Sequence, residues 1–151
     1  MIDRERFEEI CTEAGLMALR QSPGEGHELE SWAKDNDSPV CAADLEVDAF
    51  LRRELCALLP AAGWLSEESV DHPERLARGL CWLVDPIDGT RDYLRTRSGW
   101  CLSVALIEDR VPVLGALAAP QRGELWTAER GRGSWRNGAG LRVSPRAELA
   151  G

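Results

Sequence analysis

Two carboxylates, Asp85 and Asp88, stand in the string Trp82-Leu83-Val84-Asp85-Pro86-Ile87-Asp88-Gly89-Thr90. Carboxylate oxygens suit hard cations such as Mg²⁺. The apolar run from Leu80 to Val84 has the length and composition of a strand, and the sequence places its end at Asp85-Pro86. Thr90 then opens a polar segment, Arg91 to Arg95, that reads as a first helical turn. A strand that delivers two carboxylates and then a helix start can hold a cation beside a phosphate, because exposed N–H groups at a helix start attract anions. Asp-Pro and Asp-Gly are also ordinary turn dipeptides, and on those dipeptides alone a pair of turns is the commoner reading.

Two upstream segments carry further acids. In Trp64-Leu65-Ser66-Glu67-Glu68-Ser69, adjacent glutamates follow a short apolar piece. Taken alone, such a pair is a solvated loop. In Ser38-Pro39-Val40-Cys41-Ala42-Ala43-Asp44, the residues alone describe a turn with Asp44 capping the next helix.

Composition narrows the chemistry. A chain of 151 residues fits one domain with a real core, and its 44% apolar and 29% charged fractions are those of a soluble globular protein. With only His27 and His72 present, a histidine metal site or a Ser-His-Asp triad has little material, so a catalytic site here rests on carboxylates. The five cysteines are odd in number, widely spaced and free of Cys-x-x-Cys pairs, which argues against a disulfide framework or a zinc site. Net charge is −8, but residues 1–74 hold 18 acids against 6 bases while residues 75–151 hold 8 against 12. The basic second part could serve an anionic substrate, although solvated arginine is the commoner explanation. No dense basic run with interleaved aromatics points to a nucleic-acid polymer. No run approaches the roughly 18 apolar residues of a membrane span, and the acidic N-terminus is no signal peptide, so a cytoplasmic location is expected.

The positioning elements follow from periodicity. Phe7, Ile10, Cys11, Ala14, Met17 and Ala18 mark an amphipathic helix over residues 3–20. Gln21 to Ser38 is a loop, with a short extended piece at Trp32 and Lys34. A second helix runs from about Asp44 to Leu59, buried along Leu51, Leu55, Leu58 and Leu59 and ended by Pro60 and Gly63. Trp100 to Ile107 is a strand with two apolar faces, which predicts helices on each side. Val111 to Ala119, Leu125 to Ala128, Gly133 to Trp135 and Leu141 to Val143 read as further strands, with Asn137-Gly138 as a type I′ turn. Gly131-x-Gly133 is no dinucleotide fingerprint, since Arg136 stands where a third glycine would and no strand-to-helix context surrounds it. The predicted class is α+β: two N-terminal helices on a mostly antiparallel sheet.

Three of these segments, in order, resemble the inositol monophosphatase superfamily. Its signature runs an apolar strand into Asp-Pro-(Ile/Leu/Val)-Asp-Gly-Thr, matched by Trp82 to Thr90, and Leu65-Ser66-Glu67-Glu68 is similar to its Glu-Glu element. Ser38 to Asp44 is similar to its Ser-Pro-Val-Thr-x-Ala-Asp element, with Cys41 where the family usually has Thr. The resemblance implies that Glu67, Asp85 and the backbone carbonyl of Ile87 hold one Mg²⁺. It implies that Asp85 and Asp88 hold a second, Asp85 bridging. Two such ions, roughly 3.5–4 Å apart, clamp attacking and leaving oxygens and lower the pKa of bound water. It further implies that Thr90, assisted by Asp44, orients that water, that Glu68 supports the site, and that N–H groups at Gly89 and Thr90 grip the phosphate. Arg91-Asp92 after Asp-Gly-Thr, and Ser-Glu-Glu in place of Gly-Glu-Glu, are most like the CysQ-type 3′(2′),5′-bisphosphate nucleotidases, which serve sulfur metabolism, ahead of inositol monophosphatases. The implied substrate is a small phosphorylated metabolite, a nucleotide bisphosphate or an inositol phosphate.

The family also has a second domain with a Trp-Asp element that supplies another ligand, and no Trp-Asp pair occurs in these 151 residues. The expectation is therefore an N-terminal metal- and phosphate-binding domain over residues 1–151 without its C-terminal domain, whether as a fragment or a truncation, and weak or absent activity alone. A non-catalytic reading stands beside it: a chain that binds metal or a partner through an exposed sheet edge, self-associating as a homodimer.

Overall fold

The computed structural model describes residues 2–23, 31–33 and 39–145. Helix α1 spans Arg4–Gln21, and Asp3 caps it by accepting from the Arg6 N–H at 3.0 Å. Its apolar face, Phe7, Ile10, Cys11, Ala14 and Ala18, is buried. Strands β1 (Ser31–Ala33) and β2 (Pro39–Cys41) pair antiparallel, and β2 leads directly into α2 (Ala42–Leu58). Lys34, Ser38 and His27 lie outside the described residues.

The main sheet has seven strands in the order β3-β4-β5-β6-β7-β8-β9. β3 (Gly63–Ser66) runs parallel to β4 (Leu80–Asp88), joined through a short 3₁₀ turn at Pro73–Ala77. Every other neighbour is antiparallel: β5 (Cys101–Glu108), β6 (Val111–Ala119), β7 (Glu124–Glu129), β8 (Gly133–Arg136) and β9 (Ala139–Gly140). Helix α3 (Thr90–Leu94) is one short turn between β4 and β5. This is the expected α+β architecture.

Helices α1 and α2 pack on each other and on one face of the sheet, α2 against β4 and α1 against β5 and β6. Trp82 is the centre of that packing. Its ring stacks on Phe7 at 5.7 Å, and its Nε1 donates to the Leu55 carbonyl at 3.1 Å. Burying such a side chain contributes about 1.5–3 kcal/mol, so β4 is held where it meets both helices. The site described next depends on that placement.

Three expectations are corrected. The strand does not stop at Asp85-Pro86 but continues through Asp88, with a register shift between Asp85 and Asp88. A proline with no N–H to give is tolerated at such an irregularity, where the ladder bond is already interrupted. β5 has helices on one side only among the described residues: Leu102, Val104 and Leu106 are buried while Leu83 and Leu117, facing the other way on neighbouring strands, are each 45% exposed. Leu141 to Val143 is not a strand; the pairing after Asn137-Gly138 covers only Ala139–Gly140. The turn itself is of the expected kind, with positive φ at both Asn137 and Gly138. The five cysteines are free thiols, Cys11 and Cys41 buried and the other three partly so.

Candidate functional site

The candidate residues come from three elements that meet at the end of β4. Asp85, Ile87 and Asp88 lie on the irregular last turn of that strand. Glu67 follows β3 directly, and its N–H reaches the Val84 carbonyl at 3.4 Å, extending the parallel pairing one step. Glu68 donates its N–H to the Ser66 hydroxyl at 3.2 Å. Asp44 is fully buried in the first turn of α2.

Asp44 does not cap its helix in the expected way. The cap residue is Cys41, and Asp44 reaches back from the third helical position to accept the Cys41 N–H at 2.9 Å. The Cys41 thiol also donates to Asp44 Oδ2, at 3.1 Å. Burial, then this carboxylate, pushes that thiol up to about 11, so it stays protonated and serves as a donor.

Gly89 makes the turn that ends β4. Its φ is +92°, and a Cβ there would stand 2.8 Å from the Gly99 carbonyl oxygen, so only glycine fits. The turn starts α3: the N–H groups of Asp92 and Tyr93 return to the Gly89 carbonyl at 2.8 and 3.0 Å. The first N–H groups of a helix have no partner inside it, and among the described residues no side chain caps this end. Tyr93 locks the turn in place, its hydroxyl donating to the Ala18 carbonyl at 2.8 Å and its ring meeting Trp100 edge-on. The Thr90 hydroxyl donates to the Ile87 carbonyl at 3.0 Å.

Electrostatics show which acids share a neighbourhood. The Asp85 carboxyl is pushed up from 3.8 to about 7, by burial first, then by the negative charges of Glu67, Asp88 and Asp44. Three of the other sequence-predicted acids, Glu67, Asp88 and Asp44, thus act on Asp85. They are not drawn into a closed cage: among the described residues no three or more His, Cys, Asp or Glu side chains gather in a ready-made metal cluster. The all-oxygen donor set and the unfavourable crowding of negative charge are what a hard divalent cation would relieve.

Sequence reasoning missed three contributors. Cys101 pairs across the ladder with Asp88, and its partly buried thiol is raised by burial, Asp88 and Asp85. No sequence signal pointed to it. Asp48 and Ser69 hydrogen-bond each other at 2.9 Å beside the Glu67 loop. Asp48 could have been suspected, since it follows Asp44 by one helical turn on the same face.

The chain matches the model of the inositol monophosphatase family over residues 5–151. It is 36% identical over 144 residues to a histidinol-phosphatase of Chlorobaculum parvum, covering 93% of this chain and 52% of that protein. It is 38% identical over 106 residues to the 3′(2′),5′-bisphosphate nucleotidase CysQ of Aggregatibacter actinomycetemcomitans, covering 69% and 39%. Among solved structures it superposes on the extragenic suppressor protein suhB of Bartonella henselae with a TM-score of 0.83 at 30% identity, covering 95% of this chain and 55% of that one. The Thermotoga maritima IMPase gives 0.84 at 26% identity, covering 98% and 56%. The chain spans about half the length of the curated relatives it matches. With the signature turn, the Glu-Glu loop and the helix-start aspartate converging in one fold, this chain belongs to the inositol monophosphatase family.

Proposed function

We propose that the chain carries the metal- and phosphate-binding part of a Mg²⁺-dependent phosphomonoesterase. The observation that carries this reading is the setting of Asp85, a carboxyl raised to about 7 by burial and by Glu67, Asp88 and Asp44, beside the glycine turn that starts α3. Glu67, Asp85 and the Ile87 carbonyl would hold one ion, and Asp85 with Asp88 a second. When bound, the ions supply Lewis acidity to phosphoryl oxygens and lower the pKa of water. The remaining work falls to the chain. N–H groups at Gly89 and Thr90 hold the phosphate, Thr90 and Asp44 orient the attacking water, and Glu68 backs Glu67. No side-chain nucleophile is required: water attacks phosphorus, the ester P–O bond breaks and the alcohol leaves with a proton.

For the substrate, we infer a 3′(2′),5′-bisphosphate nucleotide, phosphoadenosine phosphate yielding AMP and phosphate. The support is Arg91-Asp92 after Asp-Gly-Thr, Ser66-Glu67-Glu68, and the similarity to the CysQ nucleotidase. A second reading, histidinol phosphate, is favoured by the longer alignment to the Chlorobaculum parvum relative. Calorimetric binding of phosphoadenosine phosphate, histidinol phosphate and inositol 1-phosphate in Mg²⁺ separates them. Tightest binding of the bisphosphate supports the inference, and preference for either of the others overturns it.

A further inference from the structure

The Glu67 loop is pinned from both sides. On one side the Glu68 N–H meets the Ser66 hydroxyl and the Glu67 N–H meets the Val84 carbonyl. On the other, Trp64 Nε1 donates to Ser69 Oγ at 2.9 Å, and Ser69 Oγ donates to Asp48 Oδ2 at 2.9 Å. The far end of this chain is inside the protein: Asp48 is 7% exposed and Trp64 9%.

Stability alone explains the arrangement poorly. Asp48 Oδ1 is buried and has no hydrogen-bond partner among the described residues. A buried polar oxygen left unsatisfied is costly, and a neutral or apolar residue of similar size would serve a merely structural role better. What the arrangement does achieve is to tie the loop that bears Glu67 to the α2 face that bears Asp44, one turn from Asp48.

We propose that Ser69 and Asp48 are positioning residues for Glu67: the chain Trp64–Ser69–Asp48 sets the direction of the Glu67 carboxylate and with it the affinity of the site for a divalent cation. This rests on the reading of Glu67 as a metal ligand. Loss of an outer group that orients a metal ligand typically costs about 10–100-fold in metal affinity, which sets the upper range for a group acting through the loop backbone.

The test uses Mn²⁺ as the probe, followed by electron paramagnetic resonance on the 151-residue chain. Ser69→Ala is expected to weaken Mn²⁺ binding by about 10–100-fold and to speed amide exchange at residues 67–69 in the metal-free chain. Ser69→Thr, which keeps the hydroxyl, is expected to restore both. Asp48→Asn keeps an acceptor for Ser69 while removing the charge, so Mn²⁺ binding near the wild-type value is expected there, whereas Asp48→Ala, which removes the acceptor, is expected to weaken it as Ser69→Ala does, with the fold intact by circular dichroism. Wild-type Mn²⁺ affinity in either Ser69→Ala or Asp48→Ala would overturn the proposal, whatever their melting temperatures. A wild-type chain whose Mn²⁺ binding is unmoved by Glu67→Gln would refute the ligand reading itself, and the proposal with it.

Discussion

The Thr90 hydroxyl donates to the Ile87 carbonyl oxygen at 3.0 Å, closing the signature turn on itself. A carbonyl can only accept, so the Thr90 proton is committed to it and the hydroxyl oxygen is left to act as an acceptor. That polarity suits a residue proposed to orient a water by accepting a hydrogen bond from it. Thr90→Val keeps the shape and removes the donor. The expected loss is about 1 kcal/mol, a fall of about 2–4 °C in melting temperature for a chain of this size. Thr90→Ser should melt like the wild type. Differential scanning calorimetry checks both.

Gly89→Ala should be far more damaging than an exposed glycine substitution elsewhere. Positive φ at a non-glycine residue costs about 1–3 kcal/mol, and the added methyl would also press on the Gly99 backbone at 2.8 Å. By contrast, Gly131 also has positive φ, but nothing lies within 4 Å of its added Cβ. Urea unfolding should rank Gly89→Ala well below Gly131→Ala, and equal losses would remove the close approach as an explanation.

The pH dependence of stability in metal-free solution follows from Asp85. Its carboxyl lies near 7 in the folded chain against an ordinary 3.8, so between those values the folded state holds the extra proton. Stability contributed by this group is therefore lost as pH rises from about 4 towards 7, and the loss is complete above. Melts in EDTA from pH 5 to pH 8 should show that decline, and Asp85→Asn should flatten it and melt higher at pH 8. An unchanged slope in Asp85→Asn would assign the effect to another group.

Turnover by the 151 residues measures how far the described carboxylates act by themselves. Mg²⁺-dependent phosphate release measures it directly. Robust turnover would mean that the described carboxylates suffice.

Much of this site was legible because its pieces are local. The string Asp85 to Thr90 specifies a glycine turn and a helix start, and the structure forms both, with the strand running on to Asp88 before them. The helix stripes of α1 and α2 were legible for the same reason, since a period is carried within one segment. What depended on contacts between segments was not. Whether Asp44 caps α2 or reaches back from inside it turns on the Cys41 conformation. The continuation of β4 past Pro86 depends on a ladder irregularity against β5, and Cys101 reaches Asp88 only through that pairing. Two apolar faces on β5 announced burial on both sides, yet a sequence cannot say what covers each.

The central claim is that the acids around Asp85 form a divalent-cation site, and a Mg²⁺ titration of thermal stability tests it most directly. Saturation at one hundred times the dissociation constant should stabilise the folded chain by about 2.7 kcal/mol, a rise of roughly 5–10 °C. Ca²⁺-free, Mg²⁺-loaded wild type should show that rise at pH 8, while Asp85→Asn should show little or none. No shift in the wild type up to tens of millimolar Mg²⁺, or an equal shift in Asp85→Asn, would contradict the account.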